Sequence, residues 1–136
     1  MPAYLDASAV VKLVVRESGS DALGAVLGGS PSIVSSELVR AELPRAIRRL
    51  SGEDETTRER LIDAAIERLA HLDLISVSPE RLDAAGALVD PALRTLDAIH
   101  IASALVIAGE LDAFITYDTR QAAAATRLGL PVRTPR

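Results

Sequence analysis

The chain has 136 residues, no cysteine and a formal net charge of −4. This length suits one domain, residues 1–136, that buries a hydrophobic core without disulfides, and the lack of cysteine excludes thiolate metal sites and cysteine nucleophiles. The acidic balance argues against binding nucleic acid through the overall field of the protein, and no apolar run reaches the roughly 18 residues of a membrane-spanning helix. We expect a soluble protein of the cytoplasm.

Short apolar runs alternate with longer helical patterns along the chain. In order, the sequence predicts a strand at 3–5, helices after Asp6 to residue 15 and at 20–28, a strand at 32–34, helices at 37–50 and 53–69, a strand at 72–77, helices at 79–89 and 96–108, a strand at 113–116, a helix at 121–128 and a strand at 131–133. Such alternation is typical of an α/β fold with a mostly parallel sheet.

Several residues define the ends and faces of these helices. Ser35 or Ser36 is predicted to cap the helix at 37–50, Glu37 to complement the dipole of its first turn, and Pro44 to kink or split it. Ile66 is placed on the inward face of the helix at 53–69.

Four acidic residues come from four different elements that can meet at one sheet edge. Asp6 and Asp118 follow the first and fourth strands, Glu42 lies on the helix after the second strand, and Asp97 begins the helix at 96–108. Sites in open parallel sheets form outside the carboxyl ends of the strands. Asp112 precedes its strand and is predicted to lie at the opposite edge.

Carboxylates at one edge of the sheet indicate a site whose ligands are oxygen atoms. On its helix, Asp97 shares a face with Ile101 and Ala104, so its carboxylate is attached to the core and needs a partner. Mg²⁺ or Mn²⁺ prefers carboxylate ligands, would balance the charge of Asp97 and can activate a water for attack on a phosphodiester. Hydrolysis of this kind leaves a 5′-phosphate and a 3′-hydroxyl.

Each acid also has a purely structural alternative. Asp6 and Asp97 could cap helices, Asp118 could serve a turn, and Glu42 could pair with Arg45 or Arg49. The arginines on the helices around Glu42 either lie on solvent-exposed helix faces or form a rim that contacts phosphates.

The polar neighbours of the acids are open to two interpretations as well. Ser8 and Thr116 could hydrogen-bond a metal-bound water or a phosphate, or could cap and pack. His100 is predicted to be a packed, hydrogen-bonded histidine and not a general base.

Four segments carry a resemblance to a known family. They are YLDASA at 4–9, VRAEL at 39–43, LDAIHIASA at 96–104 and TYDTR at 116–120. In order and spacing they resemble the motifs of PIN-domain ribonucleases of the VapC toxin type.

The resemblance implies a three-layer α/β/α fold and Mg²⁺- or Mn²⁺-dependent endonucleolytic cleavage of RNA. Asp6, Glu42, Asp97 and Asp118 match the acidic metal-binding positions of the family, and Thr116 matches its hydroxyl position before the last acid.

The resemblance also implies a homodimer and a cognate antitoxin encoded alongside. An apolar groove would receive the antitoxin. The candidate residues for this groove could instead belong to the hydrophobic core. These are Leu23, Val26, Leu27, Leu38, Ile47 and Leu50.

Two alternative functions are considered. Another Asp-based phosphoryl-transfer enzyme, such as an aspartyl phosphatase, usually carries a second acid where this chain has Ser8. A catalytically silent PIN-like module that binds protein or RNA would not need the four acids.

Overall fold

The computed structural model describes every residue from Met1 to Arg136 and contains one five-stranded sheet. Its strands lie in the order β3-β2-β1-β4-β5, and every neighbouring pair is parallel. The strands are β1 (Ala3–Leu5), β2 (Ile33–Ser36), β3 (Asp73–Ile75), β4 (Ala113–Ile115) and β5 (Val132–Arg133).

Seven α-helices connect and flank the strands. They are α1 (Ala7–Val11), α2 (Ser20–Leu27), α3 (Val39–Arg48), α4 (Glu55–Leu69), α5 (Pro79–Gly86), α6 (Thr95–Leu105) and α7 (Thr119–Arg127), with a short 3₁₀ helix at Ala108–Glu110. None of the helices combines the length and the hydrophobicity that a membrane-spanning helix requires.

Alternating side chains of the central strands build two cores, one on each face of the sheet. Leu5 and Ile115 pack with residues of α1 to α4, whereas Tyr4 and Phe114 pack with Ile101 of α6 and with α7. This alternation follows from the two-residue repeat of a strand. The predicted three-layer α/β/α architecture is therefore confirmed.

The first helix is shorter than the sequence pattern suggests. It ends at Val11 instead of residue 15, and turns follow. Val11, Val14 and Val15 nevertheless pack against the core. The turns satisfy the apolar pattern that predicted a longer helix.

Ser35 and Ser36 belong to β2 and do not cap α3. The Ser35 hydroxyl donates to the carbonyl of Leu5 at 2.6 Å, and Ser36 Oγ accepts from the backbone N–H of Leu38. The hydroxyls are thus used by the strand and the following turn, and α3 begins without a side-chain cap.

Two predictions around α3 and α4 are wrong, and one of the two alternatives for Pro44 is excluded. Helix α3 runs through Pro44, so the proline does not split it, and Glu42 lies in the first turn of the helix. Glu37 lies before the helix and its carboxylate accepts from the backbone N–H of Val77. Ile66 is 60% exposed and points away from the core.

Half of the residues predicted for an apolar groove are part of the core. Leu23, Leu27 and Ile47 are buried in the cluster beneath α1 to α4. Val26, Leu38 and Leu50 are half-buried. A groove on this side of the protein can therefore use only the second set.

Candidate active site

Asp6 lies directly after β1 and caps helix α1. Its Oδ1 accepts hydrogen bonds from Ser8 Oγ at 2.6 Å and from the backbone N–H of Ala9 at 3.0 Å, and its Oδ2 accepts from Thr116 Oγ1 at 2.5 Å. The residue is 2% exposed. Three donors thus converge on one buried carboxylate.

Thr116 and Ser8 join the ends of two adjacent strands. Thr116, which follows β4, donates to Asp6 after β1 and accepts from the backbone N–H of Asp118 at 3.1 Å. Ser8 Oγ accepts from the backbone N–H of Tyr117 at 2.9 Å. Strands β1 and β4 lie where the chain order of the sheet reverses, which is the usual place for a site in this architecture.

Asp118 and Asp97 occupy the first turns of two helices. Asp118 is the N-cap of α7, and its Oδ1 accepts from the backbone N–H groups of Arg120 and Gln121. Asp97 is the third residue of α6, whose N-cap is Arg94, so it does not cap the helix. Helix N-termini favour carboxylates, which explains locally why both helices tolerate them.

Glu42 reaches the site from α3 and contacts a histidine. His100 Nε2 lies 2.7 Å from Glu42 Oε1, with the side chains 2% and 19% exposed. Glu42 therefore does not pair with Arg45 or Arg49. The prediction that His100 is packed and hydrogen-bonded is confirmed.

Burial raises the pKa of Asp6 above its ordinary value, while hydrogen bonds from Ser8 and Thr116 lower it. The pKa of Asp97 is raised by burial and next by the negative charge of Asp118, with Glu42 adding to the effect. The charges of Asp118 and Glu42 therefore act on Asp97, since like charges disfavour ionisation.

No cationic side chain neutralises three of these acids. The ion pairs of the chain do not include Asp6, Asp97 or Asp118. No group of three or more His, Asp or Glu side chains is arranged to hold a metal ion as it stands. The negative charge of these three acids is thus not balanced by an ion pair. Oxygens of Asp6 and Glu42 accept hydrogen bonds from neighbouring protein groups.

Two further residues support the site and were missed from the sequence. Gln121 is buried, and its Nε2 donates to the main-chain carbonyl of Asp97 at 3.2 Å, which joins α7 to α6. Tyr4 is buried, with its hydroxyl 2.8 Å from His100 Nδ1. The only sequence signal for either was a polar atom at a core position.

A pocket of about 440 Å³ opens beside Ser8 and Glu42. Small alanines and the half-exposed Leu96 form much of its lining, together with Arg45 and Arg49. Neither arginine forms an ion pair, whereas the neighbouring Arg48 pairs with Glu55 and Glu59 on α4. The pocket therefore combines an apolar surface with free positive charge. Arg120 is exposed beyond Asp118 and forms no ion pair either.

The chain is similar to characterised proteins over nearly its whole length. The family model described as "PIN domain" matches residues 3–127. Ribonuclease VapC46 of Mycobacterium tuberculosis (strain ATCC 25618 / H37Rv) is 47% identical over 132 residues, which cover 97% of this chain and 96% of the relative. Ribonuclease VapC35 of the same strain is 39% identical over 136 residues, with 97% and 96% covered.

Solved structures share the fold at low sequence identity. VapC20 of Mycobacterium tuberculosis, described as a sarcin-ricin loop cleaving toxin, has a TM-score of 0.67 at 16% identity, with 90% of this chain and 94% of that chain covered. VapBC2 from Rickettsia felis, bound to a DNA fragment from its promoter, has a TM-score of 0.67 at 17% identity, with 100% of both chains covered. Together with the family model and the 47% identical relative, these findings show that the chain belongs to the PIN-domain family, within its VapC group.

Proposed function

We propose that this protein is an endoribonuclease that requires Mg²⁺ or Mn²⁺ and acts as the toxin of a toxin–antitoxin pair. The observation that supports the proposal is that Asp6, Asp97 and Asp118 form no ion pair, while Asp6 follows a strand at the chain-order reversal of the sheet and the negative charge of Asp118 raises the pKa of Asp97. The closely similar relatives are named ribonucleases, which supports RNA as the substrate.

The residues of the site fit a hard divalent cation by their chemistry. Asp6, Glu42, Asp97 and Asp118 would hold it, because carboxylate oxygens are the ligands that Mg²⁺ and Mn²⁺ prefer. When bound, the cation would supply an activated water and neutralise the charge that develops on the phosphodiester.

The protein's own side chains have two tasks in this proposal. Thr116 and Ser8 hold the Asp6 carboxylate in one orientation between β1 and β4. Gln121 ties the first turn of α6, which carries Asp97, to the first turn of α7. The acids are thereby kept at one edge although their charges repel each other.

The pocket beside Glu42 is proposed to receive the RNA next to the cleaved bond. Arg45 and Arg49 lie one helical turn apart and are free of acidic partners, so they can contact phosphates. The apolar surface around Leu96 can accept the face of an unstacked base. This assignment favours the phosphate-contacting interpretation of the arginines.

The proposal includes the partners that the resemblance implies. A cognate antitoxin would bind and silence the protein, and the chain would form a homodimer in the cytoplasm. VapBC2 from Rickettsia felis and FitAcB from Neisseria gonorrhoeae have the same fold as this chain. Co-expression with the neighbouring gene product and sedimentation of the purified protein test these partners.

The proposed activity is tested by incubating the purified protein with cellular RNA. Reactions contain Mg²⁺, Mn²⁺ or a chelator, and compare the wild type with Asp6→Asn and Asp97→Asn. Asp112→Asn is the matched control, because Asp112 precedes β4 at the opposite end of the strand and is exposed. Circular dichroism verifies that each variant is folded.

The proposal predicts discrete fragments that carry a 5′-phosphate. They disappear with the chelator and with Asp6→Asn or Asp97→Asn, and persist with Asp112→Asn. Fragments that survive the chelator, or that end in a cyclic phosphate, would contradict metal-dependent hydrolysis. Intact RNA under all conditions, with retained antitoxin binding, would favour a catalytically silent binding module.

A further inference from the structure

A chain of three polar side chains runs from the core of the protein to the candidate site. The Tyr4 hydroxyl lies 2.8 Å from His100 Nδ1, and His100 Nε2 lies 2.7 Å from Glu42 Oε1. Tyr4 and His100 are buried, whereas Glu42 reaches partly into solvent. The proposed mechanism uses Glu42 but leaves Tyr4 and His100 without a role.

The direction of the first hydrogen bond follows from the surroundings of Tyr4. A tyrosine hydroxyl carries its proton at neutral pH and can donate it. The two buried serines Ser35 and Ser103 donate their own protons to the carbonyls of Leu5 and Ile99. The Ser35 and Ser103 oxygens also lie near the Tyr4 hydroxyl, but its hydrogen bond at 2.8 Å is to His100 Nδ1. Because the Glu42 carboxylate is an acceptor at Nε2, Nδ1 is the nitrogen that accepts from Tyr4.

The direction of the second hydrogen bond is consistent with the first. An imidazole whose Nδ1 accepts a hydrogen bond carries its own proton on Nε2. That Nε2–H is aimed at Glu42 Oε1, which accepts it. The proton of Tyr4 thus goes to His100, and the proton of His100 goes to Glu42.

Packing prevents the two rings from reorienting. The ring of Tyr4 stacks on Phe114 at 5.4 Å between centroids and 4° between planes, and it meets the His100 ring edge to face at 5.9 Å. Both rings are buried and held by these contacts, so the core determines the position of Nε2–H.

We propose that Tyr4 and His100 are positioning residues that orient the Glu42 carboxylate in the candidate metal site. His100 occupies Oε1 of Glu42, whereas Oε2 accepts no hydrogen bond from the protein, and the charge of Glu42 acts on Asp97. Donors behind a ligand raise the affinity of a metal site by holding the ligand in place. This inference rests on the proposed function, because it assigns Glu42 to the cation.

The proton arrangement is tested first on the protein without added metal. Long-range ¹H–¹⁵N correlation spectra distinguish the two tautomers of each imidazole, and the chain has only two histidines. His71 is exposed and provides the internal reference. We expect His100 to carry its proton on Nε2. A proton on Nδ1 would overturn the inference.

The positioning effect is tested by the affinity for Mn²⁺, measured by electron paramagnetic resonance without RNA. Tyr4→Phe removes one oxygen and keeps the stacked ring, and it should weaken Mn²⁺ binding about tenfold. Tyr117→Phe is the matched control. It removes the other tyrosine hydroxyl of the chain, which donates to the carbonyl of Pro135, and should leave the affinity unchanged.

A conservative replacement of His100 separates positioning from packing. His100→Gln retains an amide N–H in reach of Glu42 and should keep most of the affinity, whereas His100→Leu retains only the bulk and should lose about 10- to 100-fold. Equal affinities of the two variants would overturn the inference, and so would an unchanged affinity in Tyr4→Phe. Failure of the wild type to bind Mn²⁺ would instead reject the proposed function and the inference together.

Discussion

Replacing Thr116 by valine should destabilise the protein far more than replacing it by serine. Valine keeps the shape of threonine but removes Oγ1, which donates to Asp6 at 2.5 Å and accepts from the backbone N–H of Asp118 at 3.1 Å. Thr116 is completely buried. Thr116→Val therefore leaves one oxygen of a buried carboxylate and one backbone N–H without their partners.

The magnitude follows from these two losses. A hydrogen bond to a charged group contributes about 1.5–3 kcal/mol, and an unpaired buried donor costs about 1–3 kcal/mol. The N–H of Asp118 is only partly buried, so we expect the free energy of unfolding to fall by about 2–4 kcal/mol. Thr116→Ser removes one buried methyl group and should cost about 1 kcal/mol.

The assay is urea denaturation at pH 7 in the presence of a chelator, followed by circular dichroism. The midpoints should order as wild type, Thr116→Ser and Thr116→Val, with a common slope. The melting temperature of Thr116→Val should fall by roughly 10 °C. Equal stability of the two variants would show that the Asp6 carboxylate does not depend on Thr116, and would refute the reasoning.

Three further predictions concern charge and backbone. The folded-state pKa of Asp97 is raised, so folded protein binds the proton more tightly than unfolded protein; without metal, stability should decrease as the pH rises from about 4 through the raised pKa. Asp97→Asn should flatten this decrease in urea titrations at several pH values, and an unchanged slope would contradict the shift. Arg49→Gln should weaken RNA binding, measured by fluorescence anisotropy in chelator, and should reduce the dependence of the logarithm of the binding constant on the logarithm of salt concentration by about 1. Arg48→Gln should change RNA binding less, because Arg48 is already ion-paired. Gly19 has φ +90° and lies against a tyrosine ring, so Gly19→Ala should destabilise the protein by about 1–2 kcal/mol, whereas Gly24→Ala inside α2, with open space around it, should stabilise it by up to about 1 kcal/mol in the same denaturation assay.

Local sequence predicted most of the fold because strands and helices impose short repeats. The runs at 3–5 and 113–115 are apolar at every position, since both faces of a central parallel strand are buried. Asp6 and Thr116 follow those runs directly, so the sequence predicts that they lie at the carboxyl ends of the strands. Helix ends were predicted less well. Turns at 12–15 bury the same valines that a helix would bury.

The contacts that organise the candidate site depended on tertiary structure. Tyr4 and His100 are 96 residues apart and His100 and Glu42 are 58 apart, and no local repeat links such positions. The sequence alone determined that acids follow the strands and that a histidine lies among apolar neighbours. The order of the strands then decided which of these groups meet. Placing β1 between β2 and β4 brings Thr116 to Asp6, and α6, which packs against β2, carries His100 to β1 and α3.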